Sequence, residues 1–135
     1  MLKLTKKAEY ALMAARYMAL KNSIGYCTAK EISENHQIPY QLVAKVLQNL
    51  VKSNIAISAK GVNGGFSLAR KADTISLIDI IRAVETDFKI VDCMQVNSSS
   101  ADCEHFDCCK IKDPLAEIQR KIDKVFVETS VAQIL

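Results

Sequence analysis

The 135-residue chain has no run of about 18 apolar residues, so nothing in it is expected to span a membrane. No apolar stretch with a small-residue cleavage site follows the opening Met1-Leu2-Lys3-Leu4, which argues against a secretory signal and makes the cytoplasm the expected location. There is no glycine-rich nucleotide fingerprint, no paired-carboxylate cleft and no Ser/His/Asp set, so no enzyme is expected. Internal repeats are absent too. The five cysteines are an odd number, which suits a disulfide framework poorly, and a cytoplasmic chain keeps its thiols reduced.

What is present is half apolar by composition, enough for one domain-sized core. The net charge of +3 hides a division. Residues 1–71 hold eleven Lys/Arg against three acids, and residues 72–135 hold seven against twelve. A basic half beside an acidic half suggests that one end meets phosphates and the other does not.

Apolar residues recur at helical spacing through residues 6–21 (Ala8, Ala11, Leu12, Ala15, Met18, Ala19), with Thr5 as N-cap. Thr28-Ala29-Lys30-Glu31 reads as a capping box opening a short helix over 29–35. After a turn, Pro39 suits the first position of a helix reaching Ser53, with Leu42, Val43, Val46, Leu47 and Leu50 turned inward. Its other face carries Tyr40, Gln41, Ala44, Lys45, Gln48 and Lys52.

Residues 55–60 and 66–70 alternate at period two around Gly61-Val62-Asn63-Gly64-Gly65, the signature of a hairpin with a flexible tip. Ser76 and Asp79 form a second box-like cap for a helix ending near Val84. Residues 86–112 lack sustained periodicity and hold four of the five cysteines. Asp113-Pro114 then opens a last helix, Asp113 as cap. Its stripe of Leu115, Ile118, Ile122, Val125 and Thr129 suits pairing with a second copy or packing on its own domain.

The fold expected is mostly α with a small β-hairpin: a winged helix-turn-helix over 1–84, a cysteine-rich loop over 85–112, and a dimerisation helix with its tail over 113–135. In such a head the second helix of the motif enters the major groove. That gives Tyr40, Gln41, Ala44 and Lys45 as candidate base-edge and phosphate contacts, Gln41 offering the donor–acceptor pair that adenine requires. Tyr40 suits a phosphate or a thymine methyl. Lys60, Asn63 and Gly64 on the wing would approach the DNA backbone or the minor groove, and Lys3, Lys6, Lys7 and Lys30 would add phosphate contacts. Cys27 reads as a small buried hydrophobe and His36 as a surface or turn residue.

The ordered set Leu4-Thr5-Lys6, Tyr10-Ala11-Leu12, Ala29 to Ser33, Lys45 to Leu50, Lys60 to Ala69 and Ser76 to Ile81, followed by late cysteines, resembles the family of winged-helix regulators that includes IscR and NsrR. The likeness spans nearly the whole chain. Two positions depart from it: Lys60 stands where the family usually has Arg, and Asn54 where it has Gly. Lys60 keeps the charge without the bidentate fork, and Asn54 can still adopt a left-handed backbone.

The resemblance implies a homodimeric regulator, a repressor, that binds a palindromic operator in double-stranded DNA. It further implies an iron–sulfur cluster, 2Fe–2S or 4Fe–4S, on three loop cysteines. Cys103 and Cys109 reproduce the family's last spacing, and Cys93 supplies the third ligand across a longer gap. For the fourth ligand, the family offers a histidine whose position is occupied here by Lys112, or a carboxylate of the other subunit's first helix, matched by Glu9. A salt bridge within its own helix is the plainer role for Glu9; His105 and Cys108 are further candidates. Thiolates also suit zinc, and redox thiols without a metal are another reading. An electron-transfer or oxidoreductase protein is the least supported, because the basic half has no role in it.

Overall fold

The computed structural model describes residues 3–22, 24–86, 88–91 and 108–135. Helix α1 (Lys6–Lys21) starts where the Thr5 hydroxyl accepts the Ala8 N–H at 3.2 Å. Its inner face is nearly all small: Ala8, Ala11, Ala14 and Ala15 are buried with Met18, while Leu12 and Ala19 stay half-buried. That alanine face packs against two later helices, α3 and α4.

Helix α2 (Ala29–His36) is capped by Thr28, whose hydroxyl accepts the Glu31 N–H at 3.1 Å. The expected box is half made. The Glu31 carboxylate instead accepts the Tyr17 hydroxyl at 3.3 Å and so ties α2 to α1. His36 is half-buried, edge-on to Tyr17 with ring centroids 5.7 Å apart. Gln37 ends α2 in the left-handed region at φ 53°.

Helix α3 (Tyr40–Lys52) has Pro39 as its N-cap residue, one position earlier than expected. The proline ring fits there because the position needs no intrahelical donor. Val43, Val46, Leu47 and Leu50 are buried. Leu42 is not: it stands 44% exposed, against the inward orientation expected from its residue type.

Asn54 takes φ 60°, the left-handed turn its family counterpart glycine would supply, and leads into β1 (Ala56–Ala59). This strand pairs antiparallel with β2 (Gly65–Leu68), Ala56 opposite Leu68 and Ala59 opposite Gly65. The hairpin is shorter than the alternation suggested. On its far edge, Phe66 exchanges two backbone hydrogen bonds with Cys27, at 2.7 and 2.9 Å. Gly65 makes this approach possible: at φ 143°, a Cβ would lie 2.4 Å from the Cys27 carbonyl oxygen. Cys27 is fully buried, as its reading as a small hydrophobe requires, and its thiol donates to the Phe66 carbonyl at 3.4 Å.

A 3₁₀ turn (Ala72–Thr74) precedes α4 (Leu77–Val84), which opens with the full Ser76–Asp79 capping box, both bonds at 3.3 Å. Helix α5 (Lys112–Glu128) begins one residue before Asp113. Ile111 is the cap residue and makes no side-chain cap bond; Asp113 lies in the first turn, where its charge favours the helix dipole. The chain then returns to the head. Val131 N–H donates to the Ile75 carbonyl at 2.9 Å, Leu77 N–H donates to the Thr129 carbonyl at 2.9 Å, and Val131 is fully buried. Among the described residues no helix is long and apolar enough to cross a membrane.

Leu47 and Leu42 make a controlled pair on one helix. Leu47→Ala is expected to lower unfolding stability by about 3 kcal/mol through the cavity it leaves. Leu42→Ala should change it by no more than about 0.5 kcal/mol. Urea unfolding followed by circular dichroism measures both.

Candidate nucleic-acid interface and cysteine site

The outward face of α3 is assembled by the burial of its opposite face. With Val43, Val46, Leu47 and Leu50 against the core, Gln41, Lys45, Gln48 and Lys52 project to solvent in one row, and Tyr40 is exposed at the helix start. Ala44 is half-buried at the edge of that row. Lys45, Lys52 and Lys60 have no ion-pair partner among the described residues, so their charge is available to phosphates.

On the wing, Lys60 and Asn63 are exposed and Gly64 is half-buried. A Cβ on Gly64 would sit 2.3 Å from the Ala59 carbonyl oxygen, so only glycine lets the tip fold this tightly. Lys30 lies 4.0 Å from Glu34 in an exposed pair that holds it weakly. Lys6 is bound more closely. Its ammonium is 2.9 Å from Glu9, and the hydrogen bond to that carboxylate, reinforced by its charge, holds the Lys6 pKa above the ordinary lysine value. Within one chain, then, Glu9 is engaged by its own helix.

The cysteine set is described in part. Cys108 is exposed and Cys109 half-exposed, both as free thiols in the turn leading into α5. Cys93, Cys103 and His105 lie outside the described residues. Among the described residues, no three His, Cys, Asp or Glu side chains gather around a common point. The donor chemistry of the two accessible thiols fits a soft metal or cluster. Cys27 does not belong with them: burial, with the nearby Glu31 charge, pushes its thiol up to about 11.

Sequence reasoning missed Gln119. It is 4% exposed, a polar side chain buried on α5. Its Oε1 accepts the Ile90 N–H at 2.7 Å, and its Nε2 donates to the Phe88 carbonyl at 3.0 Å and to Asp123 Oδ1 at 2.8 Å. Phe88 meets Phe126 edge-on, centroids 5.2 Å apart. The segment leaving α4 toward Cys93 is thereby pinned to α5. The available signal was spacing: Leu115, Gln119, Ile122 and Phe126 follow the helical period, with glutamine taking one inward place.

This arrangement divides the stripe expected on α5. Leu115 and Ile122 are half-buried, Ile122 beside Ala8 and Ile81 of the head. Ile111, Ile118 and Val125 are 61%, 45% and 62% exposed, seven residues apart, on a face that the described residues leave largely open.

A helix pair with an exposed cationic second helix, followed by a tight two-stranded wing, is the head of a winged helix-turn-helix DNA-binding transcriptional regulator. The chain belongs to the Rrf2 family, described as an iron-dependent transcriptional regulator, whose family model matches residues 4–135. An HTH-type transcriptional regulator of Aquifex aeolicus is 32% identical over 128 residues, 93% of this chain and 86% of that protein. The regulator NsrR of Bacillus licheniformis is 30% identical over 114 residues, 84% of this chain and 78% of that one. The same fold recurs in CymR, the global cysteine regulator of B. subtilis, with a TM-score of 0.79 at 22% identity over 99% of this chain and 96% of that one. It recurs also in T. potens IscR, with a TM-score of 0.79 at 24% identity over 98% of this chain and 85% of that one.

Two outcomes test this description. Alkylation of metal-free protein near pH 8 should modify Cys108 quickly and Cys27 only after unfolding, because a buried neutral thiol is a poor nucleophile; peptide mass mapping reads the difference. Gln119→Leu should cost about 2 kcal/mol in urea unfolding, since it leaves the Ile90 N–H and the Phe88 carbonyl without their partner.

Proposed function

We propose that the protein is a homodimeric repressor whose grip on a palindromic operator is set by an iron–sulfur cluster. The exposed row on α3 carries the DNA reading. Tyr40, Gln41, Ala44 and Lys45 face the major groove, and Lys60, Asn63 and Gly64 of the wing, with Lys6 and Lys30, face the backbone. The single observation behind this is that α3 presents amides, and ammonium groups without an ion-pair partner among the described residues, on the side opposite its buried face.

Pairing through α5 gives the exposed row of Ile111, Ile118 and Val125 a partner and sets two recognition helices on successive groove faces. Cys93, Cys103 and Cys109 are the proposed cluster ligands, with Glu9 given across the dimer as the fourth; its bond to Lys6 would then have to open. When bound, the cluster supplies an anionic, redox-responsive crosslink within the cysteine segment. The chain's own part is mechanical. Gln119 holds the approach to that segment against α5, and Glu85 accepts the Thr5 hydroxyl at 2.5 Å, joining the end of α4 to the start of α1. A change in the segment is thus felt at the head, and a few kcal/mol of difference in affinity suffices to switch occupancy. A second reading, in which the cysteines act as redox thiols or a zinc site, draws on the exposure of Cys108 beside Cys109.

Anaerobic purification with iron and sulfide counts, a visible spectrum, and operator binding before and after cluster removal decides between them. The expected result is a coloured protein whose affinity changes at least about tenfold, equivalent to about 1.4 kcal/mol. A colourless protein holding zinc, or equal affinity in both forms, overturns the cluster switch. Gln41→Ala or Lys45→Ala should weaken operator binding without loss of fold; unchanged binding in both overturns the assignment of α3.

A further inference from the structure

Leu42 occupies a place that residue type assigns to the core, yet it is 44% exposed. Its position on the helix says where it points. An α-helix turns about 100° per residue. With Val43, Val46, Leu47 and Leu50 inward, the outward arc of α3 is centred on Gln41, Gln48 and Lys52. Ala44 borders this arc on one side; Leu42 lies at the other border, about 90° from its centre, on the side of Lys45.

Leu42 also lies in the first turn of α3. In a recognition helix that turn reaches the base edges, while later turns are held by phosphates. A leucine offers nothing to a phosphate and no hydrogen bond to a base. The major groove has one apolar feature it can cover, the C5-methyl group of thymine. Covering that methyl removes apolar surface of both partners from water.

We propose that Leu42 is a specificity-determining residue that packs on a thymine methyl in the major groove, next to the base read by Gln41. This rests on α3 being the recognition helix. It assigns a thymine preference to that position, and because thymine and uracil differ only by the methyl, deoxyuridine isolates the contact.

The test uses the full chain and a random-sequence DNA duplex pool. Wild-type protein selects its preferred duplex from the pool, and that duplex is remade with each thymine replaced singly by deoxyuridine. Fluorescence anisotropy then measures wild type and Leu42→Ala on every duplex. At one thymine of each half-site, wild type should lose roughly three- to tenfold on loss of the methyl. Leu42→Ala should lose a similar factor on the unmodified duplex and be insensitive, within about twofold, to deoxyuridine at that thymine. Leu42→Met, which keeps an apolar reach, should restore the sensitivity.

If Leu42→Ala binds like wild type, or loses affinity while still responding fully to every deoxyuridine, the proposal is overturned and the leucine serves some other contact. A pool that never enriches, or enrichment unaffected by Gln41→Ala and Lys45→Ala, instead removes the recognition-helix reading and Leu42's role with it.

Discussion

Close approach onto the alanine face of α1 is the constraint from which the head follows. Ala8, Ala11, Ala14 and Ala15 remove side-chain bulk from one side of that helix, so α3 and α4 can both settle against it. A larger residue at any of these places would push a helix outward, because close-packed interiors do not absorb extra volume. Once α3 is seated by Val43, Val46, Leu47 and Leu50, the direction of its outer face is determined. The exposed ammonium groups and amides on that face are therefore presented by core packing.

The second organising contact lies at the other end of the chain. A buried glutamine is costly unless its polar atoms are met, and Gln119 meets them with main-chain groups at Phe88 and Ile90 and with Asp123. It thus joins two stretches of chain that apolar packing alone would leave free to slide. Beyond α5, Thr129 and Val131 return to pair with Leu77 and Ile75, so the C-terminal end of α5 is tied to the head.

Much of this was legible in the residues. Thr5 and Ser76 are N-caps as their chemistry dictates, Asn54 takes the left-handed turn, and the glycine-rich tip separates two strands. The family and the winged-helix fold were legible from the ordered set of short matches. What misled was residue type standing in for direction. Leu42 is apolar but falls on the edge of the outward arc, a placement that depends on where the core lies. On α5, a 3.5-residue stripe and a 3.6-residue stripe diverge slowly, and one apolar row proved to be two faces, Leu115 and Ile122 on the half-buried line with Gln119, and Ile118 and Val125 on the exposed side. The Glu31 carboxylate had two hydroxyl- or amide-bearing neighbours within reach, and the tertiary one, Tyr17, won over the local cap. Cys93 and Cys103 fall outside the described residues, so the cysteine site rests on ligand chemistry rather than on geometry.

The backbone seam between Cys27 and Phe66 carries a consequence for how the head deforms. A two-stranded ribbon by itself is floppy and presents open edges to other chains. Here one edge is stitched to the loop that follows α1, at the spot where Gly65 permits contact. The ribbon is therefore fastened along one edge to that loop, and its position is tied to the end of the first helix. Transplanting the ribbon to another scaffold without the Cys27 loop would forfeit both its rigidity and its protection from edge-to-edge aggregation.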